Sequence, residues 1–240
     1  DVPDGDPEIH LQGFGLEDTH SVVNSLTWGP DGWLYAAQGS TVSGHVSRPG
    51  LDVGKEPTHS LGQLIWRYHP ETRKYEVFAE GGGNAFGVEI DSKGRIYSGH
   101  NGGDTRGFHY VQGGYFQKGF DKHGPLSNPY AFGYFPAMKH PSTPRFTHEF
   151  AIYEGDALPS KYQGVLFGVA PLLNHVVMSK LISDGSTFRT EDIGHAMTTA
   201  DHWFRPVDIE HGPDGCLYVA DWYDGQLQHR PNHEGQLDAV

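Results

Sequence analysis

Short runs of apolar, aromatic and β-branched residues, broken by glycine-centred turns, recur along the chain. Asn24 to Ala37 reads NSLTWGPDGWLYAA and Arg205 to Ala220 reads RPVDIEHGPDGCLYVA. In both, an Asp-Gly pair separates two strand-like runs, which predicts a β-hairpin. Glycine is required there because the turn needs a positive φ. Phe86 to Ser98, FGVEIDSKGRIYS, is a degenerate copy, and Pro159 to Gly168, PSKYQGVLFG, a looser one. The turn glycines Gly32, Gly94, Gly164 and Gly215 lie 62, 70 and 51 residues apart. A propeller blade takes roughly 40–50 residues, so these spacings leave room for inserted loops.

Between the copies, 63–69, 74–79, 108–112, 147–153 and 175–181 also read as strands, and helical periodicity is nearly absent. The expected fold is therefore all-β. Four strands per repeat, arranged radially, solve the exposed-edge problem as a β-propeller. The rival is one β-sandwich with similar hairpins, and the near-identity of the GPDG-x-LY copies favours repetition. About four blades of a six-bladed type are recognisable. Residues 1–240 thus read as a single propeller domain or part of one, cut from a longer chain. The segments 39–62 and 113–144 read as long loops, a length typical of lids and binding loops.

The formal charge of −13 repels a phosphate backbone and argues against nucleic acid as a partner. Cys216 stands alone, so the chain has neither an internal disulfide nor a C-x-x-C-H haem attachment, and it reads as a small packed hydrophobe. No stretch approaches the roughly 18 apolar residues of a membrane span. There is no H-E-x-x-H, G-x-S-x-G, Walker or dinucleotide-binding pattern, although the chain holds 16 histidines. Of these, His100, His109, His123 and His140 lie in or beside the long loops and are candidates to line a pocket. Asp1, Asp4 and Asp6 make an acidic opening that lacks the glutamate an EF-hand needs.

Four stretches carry a resemblance: HSVVNSLTWGPDGWLYAAQG from His20, GGGNAFGVEIDSKGRIYSGHNGGD from Gly81, LPSKYQGVLFGVAPLLNHVV from Leu158 and FRPVDIEHGPDGCLYVADW from Phe204. The chain resembles the glucose/sorbosone dehydrogenase-like propellers, and within them the bacterial membrane-bound dehydrogenase branch. The resemblance implies oxidation of a sugar or polyol hydroxyl by hydride transfer to the quinone PQQ beside a calcium ion. A histidine of intermediate pKa serves as the base, which suits proton removal near neutral pH. It also implies a periplasmic or extracellular location, with any haem domain or electron-acceptor protein lying elsewhere.

Residue by residue, His20 matches the catalytic base, nine residues before Gly29 where the family has eight. Asn84 and Arg205 match cofactor-binding positions. Asn101 and Asp104, in HNGGDT, match the calcium loop; without the family that segment is a plain turn. Two basic positions of the pattern are missing, with Gly83 at the arginine and Pro171 near the lysine. PQQ carries three carboxylates, which need cationic partners when buried. Asp221 and Trp222 follow the last hairpin as a substrate-binding pair, ring against sugar C–H groups and carboxylate to hydroxyls. Two other functions share the fold: a non-catalytic carbohydrate- or partner-binding propeller without the quinone, and a calcium-dependent lactone hydrolase.

Overall fold

The computed structural model describes residues 5–16, 22–40, 42–100, 102–117, 134–142, 144 and 148–225. The first blade runs from β1 (Val23–Trp28) through a tight turn to β2 (Leu34–Gln38). A hairpin of β3 (Gly44–Val46) and β4 (Thr58–Ser60) is inserted before β5 (Leu64–His69) and β6 (Lys74–Glu80). The blade order is β1-β2-β5-β6, antiparallel throughout. The second blade is β7 (Ala85–Ile90), β8 (Ile96–His100) and β9 (Phe108–Tyr110). The third is β10 (Phe150–Ile152), β11 (Val165–Ala170), β12 (His175–Asp184) and β13 (Thr187–Thr198). The fourth is the pair β14 (Pro206–His211) and β15 (Leu217–Asp221).

Period-two alternation builds the contact layers between blades, because successive side chains of a strand face opposite sides. In the first blade, Tyr35, Ala37 and Ile65 pack on Val88, Ile96 and Phe108 of the second. Their neighbours Ala36, Leu64 and Trp66 face the other way, onto Leu11 and Phe14 of the leading segment. In the third blade, Phe150 and Ile152 meet Tyr97 of the second, whereas Ala151 and Tyr153 meet Ile209 of the fourth. Each blade is thus cemented to the next by one face.

The Asp-Gly turns behave as the sequence predicts. Gly32, Gly94 and Gly215 sit at φ of +80°, +72° and +77°, and their N–H groups close turns onto Gly29, Asp91 and Gly212. The copy around Gly164 differs. There the link from β10 to β11 contains an eleven-residue excursion from Glu154 to Gly164 with a 3-10 turn at Ser160–Tyr162, so 159–164 is loop and only the residues after it form strand. The β3–β4 hairpin lies within a segment read as loop, and β13 was not anticipated at all. Cys216 corrects another expectation: it is exposed, because it occupies the turn after Asp214, whose carboxylate accepts its N–H.

The pairs Val23↔Gln38, Ala85↔His100, Phe150↔Gly168 and Pro206↔Asp221 lie at one end of the blades, here called the upper mouth. At the other end one cavity touches Trp28, Ile90, Ile152 and His211, the last residues of β1, β7, β10 and β14. All four inner strands therefore run in the same direction around a common axis. Replacing Leu166, which is wholly buried between the second and third blades, by alanine should lower stability by about 2–5 kcal/mol. The same change at Leu26, which is 63% exposed, should stay within about 0.5 kcal/mol. Urea denaturation of the two variants checks the difference.

Candidate functional site

Of the expected site residues, Asn84, Asp104, Arg205, Asp221 and Trp222 fall beside the starts of inner strands and the ends of their partners, which places them at the upper mouth. Asn84 immediately precedes β7 and is buried; its Oδ1 accepts the N–H of Ser40 at 2.8 Å, tying the second blade to the first. Its neighbour Gly83 has no room for a side chain. A Cβ there would stand 1.5 Å from Nδ1 of His100, and one on Gly102 would stand 2.0 Å from His100 Nε2. The imidazole of His100 is held between the two glycines and fills the place of an arginine at position 83.

Arg205 opens β14. Its guanidinium donates to three backbone carbonyls, those of Asp224 (2.9 Å), Pro171 (3.1 Å) and Gly225 (3.3 Å). Its N–H donates to Asp221 Oδ1 at 2.8 Å, which also accepts the N–H of Tyr223 at 2.9 Å. Arg205 and Asp221 are therefore brought together, and both shape the loop that follows β15. That loop presents Trp222 and Tyr223, with Trp203 beside them; all three are more than half exposed, and the rings of Trp203 and Tyr223 lie 5.7 Å apart. The sequence reading named Trp222 alone. The signal for Trp203 was its place two residues before Arg205.

Asp104 is exposed at φ +63°, in a loop closed by the N–H of Gly102 on the carbonyl of His100. It is open to an ion from solvent. His20 and Asn101, like His123, Asp1 and Asp4, lie outside the described residues. Of the other histidines considered, His109 packs between Tyr97 and Phe188, and His140 is buried with Nδ1 on Thr190 Oγ1 at 2.9 Å, so both serve blade packing.

Below the mouth, the axis holds carboxyl groups the sequence reading passed over. Glu149, Asp208 and Glu210 each bring an oxygen within 4.8 Å of the others, close enough to hold a metal ion. Glu149 is 7% exposed, with Ser25 Oγ donating to it at 3.4 Å. Oδ1 of Asp208 is buried without a hydrogen-bond partner among the described residues. Burial first, then the charge of Asp208, pushes the Glu149 carboxyl up to about 9. Burial also pushes Glu89, lower on the axis, up to about 8, although the N–H of Ile152 bonds its Oε1 at 2.7 Å and opposes the shift. The cue was present: Asp208 and Glu210 alternate with apolar Val207 and Ile209 on a strand flanked by apolar layers.

The described residues around the mouth do not match the charge of a quinone tricarboxylate. They offer exposed rings and carboxylates, whereas Arg205 is engaged with carbonyls and His100 blocks the arginine position. Among the described residues, the two cation positions the quinone needs are not supplied. Carboxyl oxygens, once ionised, suit a hard cation such as calcium.

The fold is that of the soluble sugar dehydrogenase propellers. The chain is similar to a protein described as a glucose dehydrogenase from Thermus thermophilus, at 21% identity and a TM-score of 0.57 over 87% of this chain and 62% of that one. It is similar to the soluble aldose sugar dehydrogenase of Escherichia coli, at 18% identity and a TM-score of 0.54 over 81% and 59%. The PQQ-bound aldose sugar dehydrogenase of Streptomyces coelicolor matches at 17% identity and a TM-score of 0.53 over 88% and 59%. The chain thus spans about three-fifths of the length of these structures. It belongs to the family described as Domain of unknown function (DUF7133), which matches residues 5–239. No curated protein matches it.

The raised carboxyls fix how stability should vary with pH. Unfolded, Glu89 and Glu149 release their protons near 4.3; folded, they hold them to about 8 and 9. Between those limits the folded state binds more protons, so stability falls as pH rises. Urea midpoints should therefore decline from roughly pH 5 to pH 9, and Glu149→Gln, which mimics the protonated form, should make the decline shallower. An unchanged slope in that variant would show that Glu149 is not the titrating group.

Proposed function

We propose that this chain forms four blades of a sugar- or polyol-oxidising propeller, whose upper mouth binds a hydroxylated substrate between Asp221, Trp222 and the neighbouring rings of Trp203 and Tyr223. The observation that carries this reading is the exposed aromatic and carboxylate group at the mouth of a propeller with the sugar dehydrogenase fold. Ring faces cover the apolar side of a sugar, and Asp221 Oδ2 is left to accept a hydroxyl. In this reading Asn84 positions the mouth through Ser40, and Arg205 holds the substrate loop closed on Asp224 and Gly225.

Hydride acceptance would come from PQQ with calcium, and His20 would take the hydroxyl proton, as the family resemblance implies. Asn101 and Asp104 would hold the calcium. The described residues do not match the quinone's charge, so its carboxylates would have to be met from elsewhere in the protein, including any blades beyond these four. A periplasmic or extracellular setting goes with this chemistry. No described helix is long and apolar enough to cross a membrane.

Arg205's engagement with three carbonyls favours a second reading, a propeller that binds carbohydrate without oxidising it. Incubating the protein with PQQ and calcium, then supplying aldoses and a redox dye, separates the two. Dye reduction that is lost in His20→Ala is the expected result. Saturable sugar binding without dye reduction would select the binding reading, and absence of sugar binding would overturn both. Trp222→Ala should weaken sugar binding by about 1–3 kcal/mol, measured by calorimetry.

A further inference from the structure

The β3–β4 hairpin inserted in the first blade carries two histidines in register. His45 pairs directly with His59. The N–H of His45 turns the other way, to the carbonyl of Gly13 at 2.7 Å, and Ser47 likewise pairs with Gln12. His45 and His59 therefore form a non-hydrogen-bonded pair, the kind in which opposed Cα atoms approach to about 4.5 Å and side chains stand closest. Gly44, Val46 and Ser60 face inward, while both histidines face solvent. The rings lie 4.6 Å apart between centroids, tilted by 41°. Among the described residues neither ring has a hydrogen bond or ion pair with another side chain, so the ring nitrogens are not claimed by the fold.

We propose that His45 and His59 form a two-histidine site for a divalent transition-metal ion of the copper, nickel or zinc class. Neutral imidazole suits these ions, whereas calcium and magnesium prefer oxygen. Metal–nitrogen bonds of about 2.0–2.1 Å bring two ligand nitrogens close together, and the facing rings reach that spacing by side-chain rotation alone. The flanking segment through Gln12 and Gly13 holds the hairpin on its second edge, so little backbone ordering remains to be done on binding. Water completes the coordination. A second histidine pair, His175 and His195, has centroids 4.4 Å apart, but burial first, then the charges of His195 and Arg106, disfavour a cation at His175, with Asp192 opposing.

Copper(II) added at one equivalent to the full chain, stripped with chelator, tests the site by electron paramagnetic resonance. The expected spectrum has two equatorial nitrogens and is unaffected by excess calcium. His45→Ala and His59→Ala should each abolish the two-nitrogen pattern and weaken copper binding by at least about tenfold, since even outer-shell losses cost about that much. His175→Ala/His195→Ala should leave the pattern intact. Circular dichroism confirms that each variant keeps the fold. A two-nitrogen signal that survives in His45→Ala/His59→Ala, or that disappears only in His175→Ala/His195→Ala, would overturn the assignment, as would wild-type affinity no higher than that of the His45→Ala/His59→Ala variant.

Discussion

Glu149 reaches the axis from the residue before β10 and touches the other three blades there. Ser25 of β1 donates to its carboxyl. Asp208 of β14 lies against it. Gly87 of β7 makes room for it: at φ +85°, a Cβ on that residue would stand 2.8 Å from Glu149 Cγ. The inner strands are bent to admit this group. Register shifts interrupt the ladder between Asn24 and Thr27, Phe86 and Glu89, and Pro206 and Asp208, at matching places in three blades. Bulges of this kind re-aim side chains while leaving most of a ladder intact. Removing one carboxylate from water costs several kcal/mol, more than the hydroxyl of Ser25 returns at roughly 1.5–3 kcal/mol for a hydrogen bond to a charged group. Keeping the proton avoids that cost and lets Glu149 donate to Asp208.

The same economy of charge shapes the mouth above. His100, wedged between Gly83 and Gly102, replaces a long cation with a flat ring. Arg205 satisfies carbonyls of Pro171, Asp224 and Gly225 rather than facing the opening. What remains open is aromatic and acidic.

The blades were legible in the sequence because their signal is local. Asp-Gly turns and alternating runs specify β1–β2, β7–β8 and β14–β15 within about fifteen residues each. The third blade was harder to read, since its inner turn is replaced by the excursion from Glu154 to Gly164, and β13 has an exposed, mixed pattern from Asp192 onward. Among the candidate residues, Asn84 and Arg205 stand out only through the family motifs, and Asp221 and Trp222 through their place after the last hairpin. The axial group could not be assembled that way. Glu149, Asp208 and Glu89 come from three blades and meet only when the blades stack, and Gly87 looks like any other strand glycine until Glu149 is placed against it.

The central claim is that a protonated Glu149 sits at the axis among the four inner strands. Carbon-13 NMR of protein labelled at the glutamate side-chain carboxyl, with Glu149→Gln used to assign the resonance, tests it directly. The carboxyl should stay protonated at neutral pH and titrate at about 9. A Glu149 resonance already that of a carboxylate at pH 7, with its midpoint near the ordinary 4.3, would contradict it.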